Sequence, residues 1–313
     1  MPYRLQPKET VPNGVRRIVT EQIDRAVEEL TNVDQDVDRN VHQARKRFKK
    51  IRGVLRLVRG DLGPAYNTEN AWFRDAGRDL SAARDAAALQ ETFEKLCGKT
   101  DGRLGKKPFP AVRSMLARRC ERMAAGENDL AEHALTLTHA LKSARKRVQT
   151  WPLRNGGFSA LGPGLKKTYA RGRKALTTAY ECPSFDNFHE WRKRVKYHWY
   201  HMRLLRGVWR ETMRGRCKTL KQLSVILGTE HDLSVLQVTL RNERDEHGDE
   251  KGDIAAVLEL AAAWQGELRN EAAKIGDRVF AEKPKCFRNR MEAYWSAWKQ
   301  KKRGTPFTMA LEN

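Results

Sequence analysis

Long hydrophobic runs and paired cysteines are both missing from this sequence of 313 residues. No apolar stretch approaches the roughly eighteen residues that a transmembrane helix needs, and the N-terminus lacks the apolar segment of a secretory signal. The five cysteines are odd in number and form no C-x-x-C pair, which argues against disulfides and against a zinc site. We therefore expect a cytoplasmic protein without a membrane segment.

Motifs for catalysis and for metal or cofactor binding are missing as well. The nucleotide-binding pattern G-x-x-x-x-G-K-[ST] does not occur, and no two histidines have the H-x-x-x-H spacing. Asp34, Asp36 and Asp38 alternate, but no glycine and glutamate follow at the positions of a calcium-binding loop, and acidic residues suit a helix N-terminus. We predict no metal site, no cofactor and no enzymatic activity, with a phosphohydrolase as the least favoured alternative.

Period-2 runs of β-branched residues, which mark strands, are also absent. Apolar residues instead recur at steps of three and four along most of the chain, and this pattern predicts an all-α protein. The predicted helices that matter below cover residues 34–59, 69–97, 211–227 and 230–244. The helix over 69–97 is either continuous or broken near Gly77.

Positive charge, in contrast, is abundant. The chain has 61 Lys and Arg against 39 Asp and Glu, for a formal net charge of +22 at pH 7. Such an excess predicts a polyanionic partner, either nucleic acid, an anionic membrane surface or polyphosphate. No feature of the sequence indicates an oligomeric state.

The charge is concentrated in the stretch 42–59. Eight of these eighteen residues are Lys or Arg and none is acidic. At helical period the stretch carries an apolar stripe through Phe48, Ile51 and Leu55, with a basic stripe beside it. Like charges four residues apart destabilise a helix, so an unrelieved basic stripe favours an anionic ligand. The predicted binding residues here are His42, Arg45, Lys46, Lys49, Lys50, Arg52, Arg56 and Arg59.

The same element occurs a second time, 147 positions further along the chain. At this offset His42 falls on His189 and the triplet 45–47 falls on 192–194. The repeat predicts two duplicated halves related by a pseudo-two-fold axis, with the two basic stripes facing one central groove or pore. Because Arg52 falls on Trp199, the two walls are not equivalent. The second set of predicted binding residues is His189, Arg192, Lys193, Lys196, Arg203 and Arg206.

We expect the two halves to form one domain. The stretch Asn155-Gly156-Gly157 is the best hinge between them. The predicted boundaries are 13–302 for the domain, 13–151 and 164–302 for its halves, 152–163 for the hinge and 303–313 for a tail.

The second copy resembles a known family. Residues 188–196, Phe-His-Glu-Trp-Arg-Lys-Arg-Val-Lys, are similar to the signature of the CHAD family, the conserved histidine α-helical domain. Residues 169–174 resemble its Y-x-R-G-R segment, which adds Arg171, Arg173 and Lys174 as a second tier of binding residues, although the repeat gives them no basic counterpart. The resemblance covers roughly residues 13–302. Family members are often fused to a β-barrel that carries an ExExK motif, and no such motif occurs here, so we expect a stand-alone member.

The resemblance implies two four-helix bundles around a basic central cavity that binds inorganic polyphosphate. It leaves open whether binding serves association with polyphosphate granules, protection of the polymer or its delivery to an enzyme. Nucleic acid stays the alternative ligand, because charge attraction depends little on which molecule carries the phosphates. Two roles also stay open for His42 and His189, a cation facing the ligand at the groove entrance or a neutral structural hydrogen bond.

Overall fold

The computed structural model describes residues 3–31, 37–80, 82–99, 108–124, 127–247 and 252–300. Twelve α-helices and one 3₁₀ turn, at Phe158–Ala160, make up the regular structure of these residues, and none of them lies in a strand. The prediction of an all-α protein is confirmed. The helices are α1 Val11–Thr31, α2 Val37–Leu57, α3 Arg59–Leu62, α4 Ala65–Asp79, α5 Ala82–Gly98, α6 Pro110–Ala124, α7 Glu127–Gln149, α8 Gly162–Glu181, α9 Phe185–Leu204, α10 Arg210–His247, α11 Asp253–Val279 and α12 Pro284–Gln300.

The helices follow their local signals, with three differences from the sequence predictions given above. The first basic helix ends at Leu57, and Arg59 begins the separate turn α3, which stops at Gly63. Gly63 has a φ of 55°, a conformation that glycine adopts without steric cost. The break in the next predicted helix falls at Leu80 rather than Gly77, which lies inside α4.

The two helices predicted at 211–227 and 230–244 form one continuous helix, α10, of 38 residues. Gly228 lies between the two predicted helices, but a single glycine costs a helix only about 1 kcal/mol. Glu230, two residues after Gly228, is buried and holds the helix in place. It accepts hydrogen bonds from Arg269 at 2.8 Å and from Gln265 at 3.0 Å, both on α11. Tertiary contacts therefore outweigh the local signal.

Helix packing places the two basic helices side by side. α1 packs on α2 and on α7, α8 packs on α9 and on α12, and α2 contacts both α8 and α9. The larger hydrophobic core contains residues from Tyr3 to Trp295, so it is shared along the chain. A smaller core joins α5 and α6 to α10 and α11. The segment 152–163 contributes Leu153, Phe158 and Leu161 to the larger core.

The segment before α1 connects the two basic helices. Tyr3 donates a hydrogen bond from its hydroxyl to the carbonyl of Lys50 in α2, at 2.8 Å. The backbone N–H of Leu5 donates to the carbonyl of Leu204 in α9, at 2.9 Å. This segment therefore fixes α2 relative to α9. Within the described part of the chain, no helix is long and apolar enough to cross a membrane.

One prediction tests the packing of α8 on α2. A Cβ added at Gly164 would overlap the carbonyl oxygen of Leu57, and backbone atoms cannot move aside easily. We expect Gly164→Ala to lower the free energy of unfolding by about 1–3 kcal/mol, the usual cost of overpacking. Urea unfolding followed by circular dichroism measures this.

The matched control is Gly266→Ala, because Gly266 lies inside α11 with nothing within 4 Å of an added Cβ. That change should raise the free energy of unfolding by about 0.4–1 kcal/mol, since alanine has less freedom to lose. Equal midpoints for wild type and Gly164→Ala would show that α8 does not sit this close to α2.

Candidate anion-binding site

α2 and α9 touch at Gly53 and Tyr200, and we call this contact the crossing. A Cβ added at Gly53 would lie 3.0 Å from Cβ of Tyr200, so only glycine allows this approach without a shift. His201 reinforces the contact from the next position, since its Nε2 lies 2.9 Å from the carbonyl oxygen of Gly53. The imidazole is 0% exposed. Burial lowers its pKa to about 3, so His201 is neutral and donates from Nε2.

Four lysines lie in α2 and α9 on the N-terminal side of the crossing, and we call them the lysine cluster: Lys46, Lys49, Lys193 and Lys196. Lys196 is half-buried and the other three are exposed. Burial, together with the charges of Arg192 and Lys46, lowers the pKa of Lys196 to about 8. The shift means that cations from both helices are close enough to repel each other.

Arg192 lies deeper than the lysines, against α10. Its Nε is buried and makes no hydrogen bond within the described structure. Burial lowers the pKa of its guanidinium, while the carboxylates of Asp232 and Glu230 act in the opposite direction. A desolvated donor beside the lysine cluster is a site where an anion would restore a lost hydrogen bond.

The Arg56 cluster, on one side of the crossing, consists of Arg52, Arg56, Asn70 and Tyr197. The guanidinium carbon of Arg56 lies 3.9 Å from the centre of the Tyr197 ring. Asn70, on α4, accepts hydrogen bonds from Arg56 and, at 3.4 Å, from Nε of Arg52. Close by, Arg59 stacks at 4.6 Å on the ring of Tyr66.

The Arg203 cluster, on the other side, consists of Tyr3, Lys50, Trp199 and Arg203. The guanidinium carbon of Arg203 lies 4.9 Å from the ring centre of Trp199 and 5.3 Å from that of Tyr3. Lys50 lies 5.9 Å from the same tyrosine ring. Burial and the charges of Arg47 and Arg203 lower the pKa of Lys50 to about 8.

The two predicted entrance histidines differ in what the structure shows of them. His189 lies with Nδ1 3.1 Å from Nδ1 of His231 on α10, and Phe185 stacks with His231 at 5.3 Å between ring centres. Burial and nearby cations lower the pKa of His189 to about 4 and that of His231 to about 3. The pair is thus neutral at pH 7, which favours the structural role for His189 in the free protein. His42, in α2, is half-buried.

The remaining predicted residues lie partly near α9 and partly on other surfaces. Arg171 lies 4.0 Å from Glu190, and the charges of Arg194 and Arg59 act on it. Arg173 instead donates to the carbonyl of Glu282 at 3.3 Å, before α12. Arg45 and Arg206 are half-buried, and Lys174 is exposed on α8.

Sequence reasoning overlooked Glu190, Arg194 and Asn70. Glu190 forms ion pairs with Lys193 at 2.8 Å and with Arg194. Burial alone would raise the pKa of Glu190, but these ion pairs lower it. The spacing i,i+3 and i,i+4 within α9 could have revealed both pairs. Asn70 gave no such signal, because its contacts with Arg52 and Arg56 come only from the packing of α4 on α2.

The fold agrees with the comparisons. The family model for the CHAD domain matches residues 17–241. The chain belongs to the CHAD domain family. Its structure is similar to the crystal structure of the CHAD domain from the plant Ricinus communis, with a TM-score of 0.63 and 16% sequence identity over 89% of this chain and 94% of that one. The comparison with curated proteins gives no match.

The buried histidines lead to a prediction about pH. Because the folded protein keeps His189, His201 and His231 neutral well below pH 6.5, the unfolded chain binds protons first as the pH falls. Stability should therefore decrease from about pH 6.5 downwards, by at most about 1.4 kcal/mol per pH unit for each histidine. Unfolding free energies measured in urea at pH 7, 6 and 5 give this slope.

His201→Gln isolates one contribution, since the glutamine amide can still donate to the carbonyl of Gly53 but does not titrate. We expect a shallower pH dependence than in the wild type, by up to about 1.4 kcal/mol per pH unit. His139→Gln, at an exposed position on α7, is the control and should keep the wild-type slope. An unchanged slope in His201→Gln would contradict a neutral buried His201.

Proposed function

We propose that this chain binds inorganic polyphosphate along the Lys and Arg side chains around the crossing of α2 and α9. The lysine cluster carries the proposal. Burial and neighbouring cations lower the pKa of Lys196 to about 8, which means that the free protein holds these charges together at an energetic cost. Phosphate oxygens relieve that cost through charge-assisted hydrogen bonds, to Arg as a fork and to Lys as a point charge.

We further propose that the site is a groove between two halves related by a pseudo-two-fold axis. Gly53 and Tyr200 are equivalent positions at the offset of 147, and a residue that touches its own equivalent lies on such an axis. Arg56 on Tyr197 and Arg203 beside Lys50 are likewise reciprocal contacts of equivalent positions. These reciprocal contacts support the proposed duplication, with charges on both sides of the proposed axis.

Polyphosphate is favoured over nucleic acid because the aromatic side chains of α9 are covered. Non-specific single-strand binding uses exposed rings on which bases stack. Tyr197 is 8% exposed and Tyr200 only 3%, while Trp199 is half-buried beside Arg203. Phe185 is 39% exposed, but it already stacks with His231. A polymer without bases needs none of these rings.

We propose binding without catalysis. Phosphoryl transfer usually relies on clustered carboxylates that hold Mg²⁺. The carboxylates next to the lysine cluster, Glu190 and Asp232, instead face the cations Lys193, Arg194 and Arg192. Incubation with Mg²⁺ and long-chain polyphosphate should therefore leave the chain length unchanged on gels. Association with polyphosphate granules is the cellular role that we propose for such a binder.

A competition titration tests the ligand. Labelled long-chain polyphosphate is bound at fixed, near-physiological salt and then displaced by unlabelled polyphosphate, triphosphate, RNA or duplex DNA. Salt is fixed because charge-driven affinity falls steeply with ionic strength. We expect unlabelled polyphosphate to compete at far lower phosphate concentration than either nucleic acid. Equal competition by RNA or DNA would overturn the proposal.

One variant separates binding from folding. Lys50→Gln/Lys196→Gln removes two charges that the fold holds against repulsion, so the free energy of unfolding should stay equal or rise. Affinity for long-chain polyphosphate should fall by about tenfold or more, because hydrogen bonds to charged groups contribute about 1.5–3 kcal/mol each. Fluorescence polarisation and urea unfolding measure the two effects.

Lys142→Gln/Lys146→Gln is the matched control, with two exposed lysines removed from α7. It should bind polyphosphate nearly as well as the wild type. If both double variants lose affinity equally, the crossing is not the site and the whole surface attracts the polymer.

The two lysines with lowered pKa values also predict how binding responds to pH. Their charged forms dominate below pH 8 and are lost above it. The affinity of the wild type should therefore decrease between pH 7 and pH 9, by at most about tenfold per pH unit for each lysine. Lys50→Gln/Lys196→Gln should show a flatter dependence, and a wild-type affinity that is constant over this range would contradict the assigned role of both lysines.

A further inference from the structure

A second basic surface lies on the first half of α10. Arg210, Arg214, Lys218 and Lys221 are all exposed and recur at steps of four, four and three, so they form one stripe, which we call the α10 stripe. None of them forms an ion pair within the described structure. The stripe extends over about 16 Å, from the rise of 1.5 Å per helical residue.

The α10 stripe makes no contribution to the packing or stability of the fold. Its side chains are exposed, so they pack no core, and like charges at i,i+4 lower helix stability. Glu211 is the only acidic residue between Arg210 and Lys221. On α9, in contrast, Glu190 pairs with Lys193 and Arg194. An anion from outside the chain would relieve the repulsion along α10.

The α10 stripe adjoins the Arg203 cluster. Cys217 lies in α10 one residue before Lys218 and packs against the larger core. Burial raises the pKa of its thiol, while the charges of Arg206 and Arg203 act to lower it. Arg203 lies in the last turn of α9, Arg206 lies in the short connection that follows, and Arg210 begins α10. The chain itself therefore brings the Arg203 cluster next to the start of the stripe.

The equivalent positions of the first half carry no such stripe. At the offset of 147, Arg214 and Lys218 fall on Asn67 and Ala71 of α4. Lys221 falls on Arg74, which is paired with Asp75 at 2.7 Å. Asp75 also faces Arg52, whose charge helps to lower the pKa of this carboxylate. On the α4 side of the crossing, the carboxylate of Asp75 therefore offsets the charge of the neighbouring arginines. On the α10 side, the row of basic residues extends further.

We infer that a long polyphosphate chain leaves the crossing past Arg203 and Arg206 and continues along the α10 stripe, so that the path over the protein is longer on this side than on the other. The inference rests on the proposed function. If the crossing were the whole site, affinity would stop increasing once a chain filled it. With the extension, affinity should keep increasing for chains long enough to leave the crossing, and this added affinity should depend on α10.

The test compares short-chain and long-chain polyphosphate on Lys218→Ala/Lys221→Ala. Long chains should bind about two- to tenfold more weakly than to the wild type, since each exposed ion pair contributes little, and the salt dependence should become less steep. Short chains should bind to this variant with the same affinity as to the wild type. The control, Lys142→Ala/Lys146→Ala on α7, removes two exposed lysines from another helix and should change neither.

The other outcomes separate the two proposals. If the α10 variant binds both lengths like the wild type, or loses both equally, the extension along α10 is wrong while binding at the crossing stands. An equal loss in the α7 control would show general charge attraction and would also overturn the extension. If the wild type binds neither length, the proposed function itself fails.

Discussion

The close approach of α2 to α9 is the constraint on which the rest of the structure depends. Two helices that each carry many cations repel one another, and the repulsion must be offset by other contacts. Here Gly53 lets the backbones meet, His201 donates to the carbonyl of Gly53, and Tyr3 ties α2 from the N-terminal segment. The apolar sides of both helices are buried in one core. These contacts, which hold the two helices together, involve no charge.

Aromatic rings hold the arginines near the crossing in fixed orientations. Arg56 stacks on Tyr197, Arg203 on Trp199 and Arg59 on Tyr66. A ring binds the face of a guanidinium, whereas the N–H groups point outward in its plane. Stacking thus orients these donors without using them, and it limits the conformational entropy that a bound phosphate would otherwise have to remove. In the proposed site, these rings would serve as supports for the arginines.

The sequence allowed the all-α fold, the family and the approximate limits of most helices to be predicted, because 3.6-residue periodicity and the repeated basic segment are local signals. The continuity of α10 could not be predicted, since Glu230 is held by Arg269 and Gln265 from another helix. Within the site, the basic stripes were readable from spacing. The contacts of Asn70 with Arg52 and Arg56, and of His189 with His231, depend on tertiary packing between distant segments.

The shared core has a consequence for how the protein folds. The contact of Gly53 with Tyr200 joins positions 147 residues apart, and such non-local contacts form late and slowly. The cationic surface around the crossing exists only once both helices have docked, so no partly folded chain offers it. A polyanion that contacts both helices at once would bind the native state more tightly than the unfolded chain. By mass action the proposed ligand would then stabilise the entire fold, and polyphosphate would favour the folding of the protein that binds it.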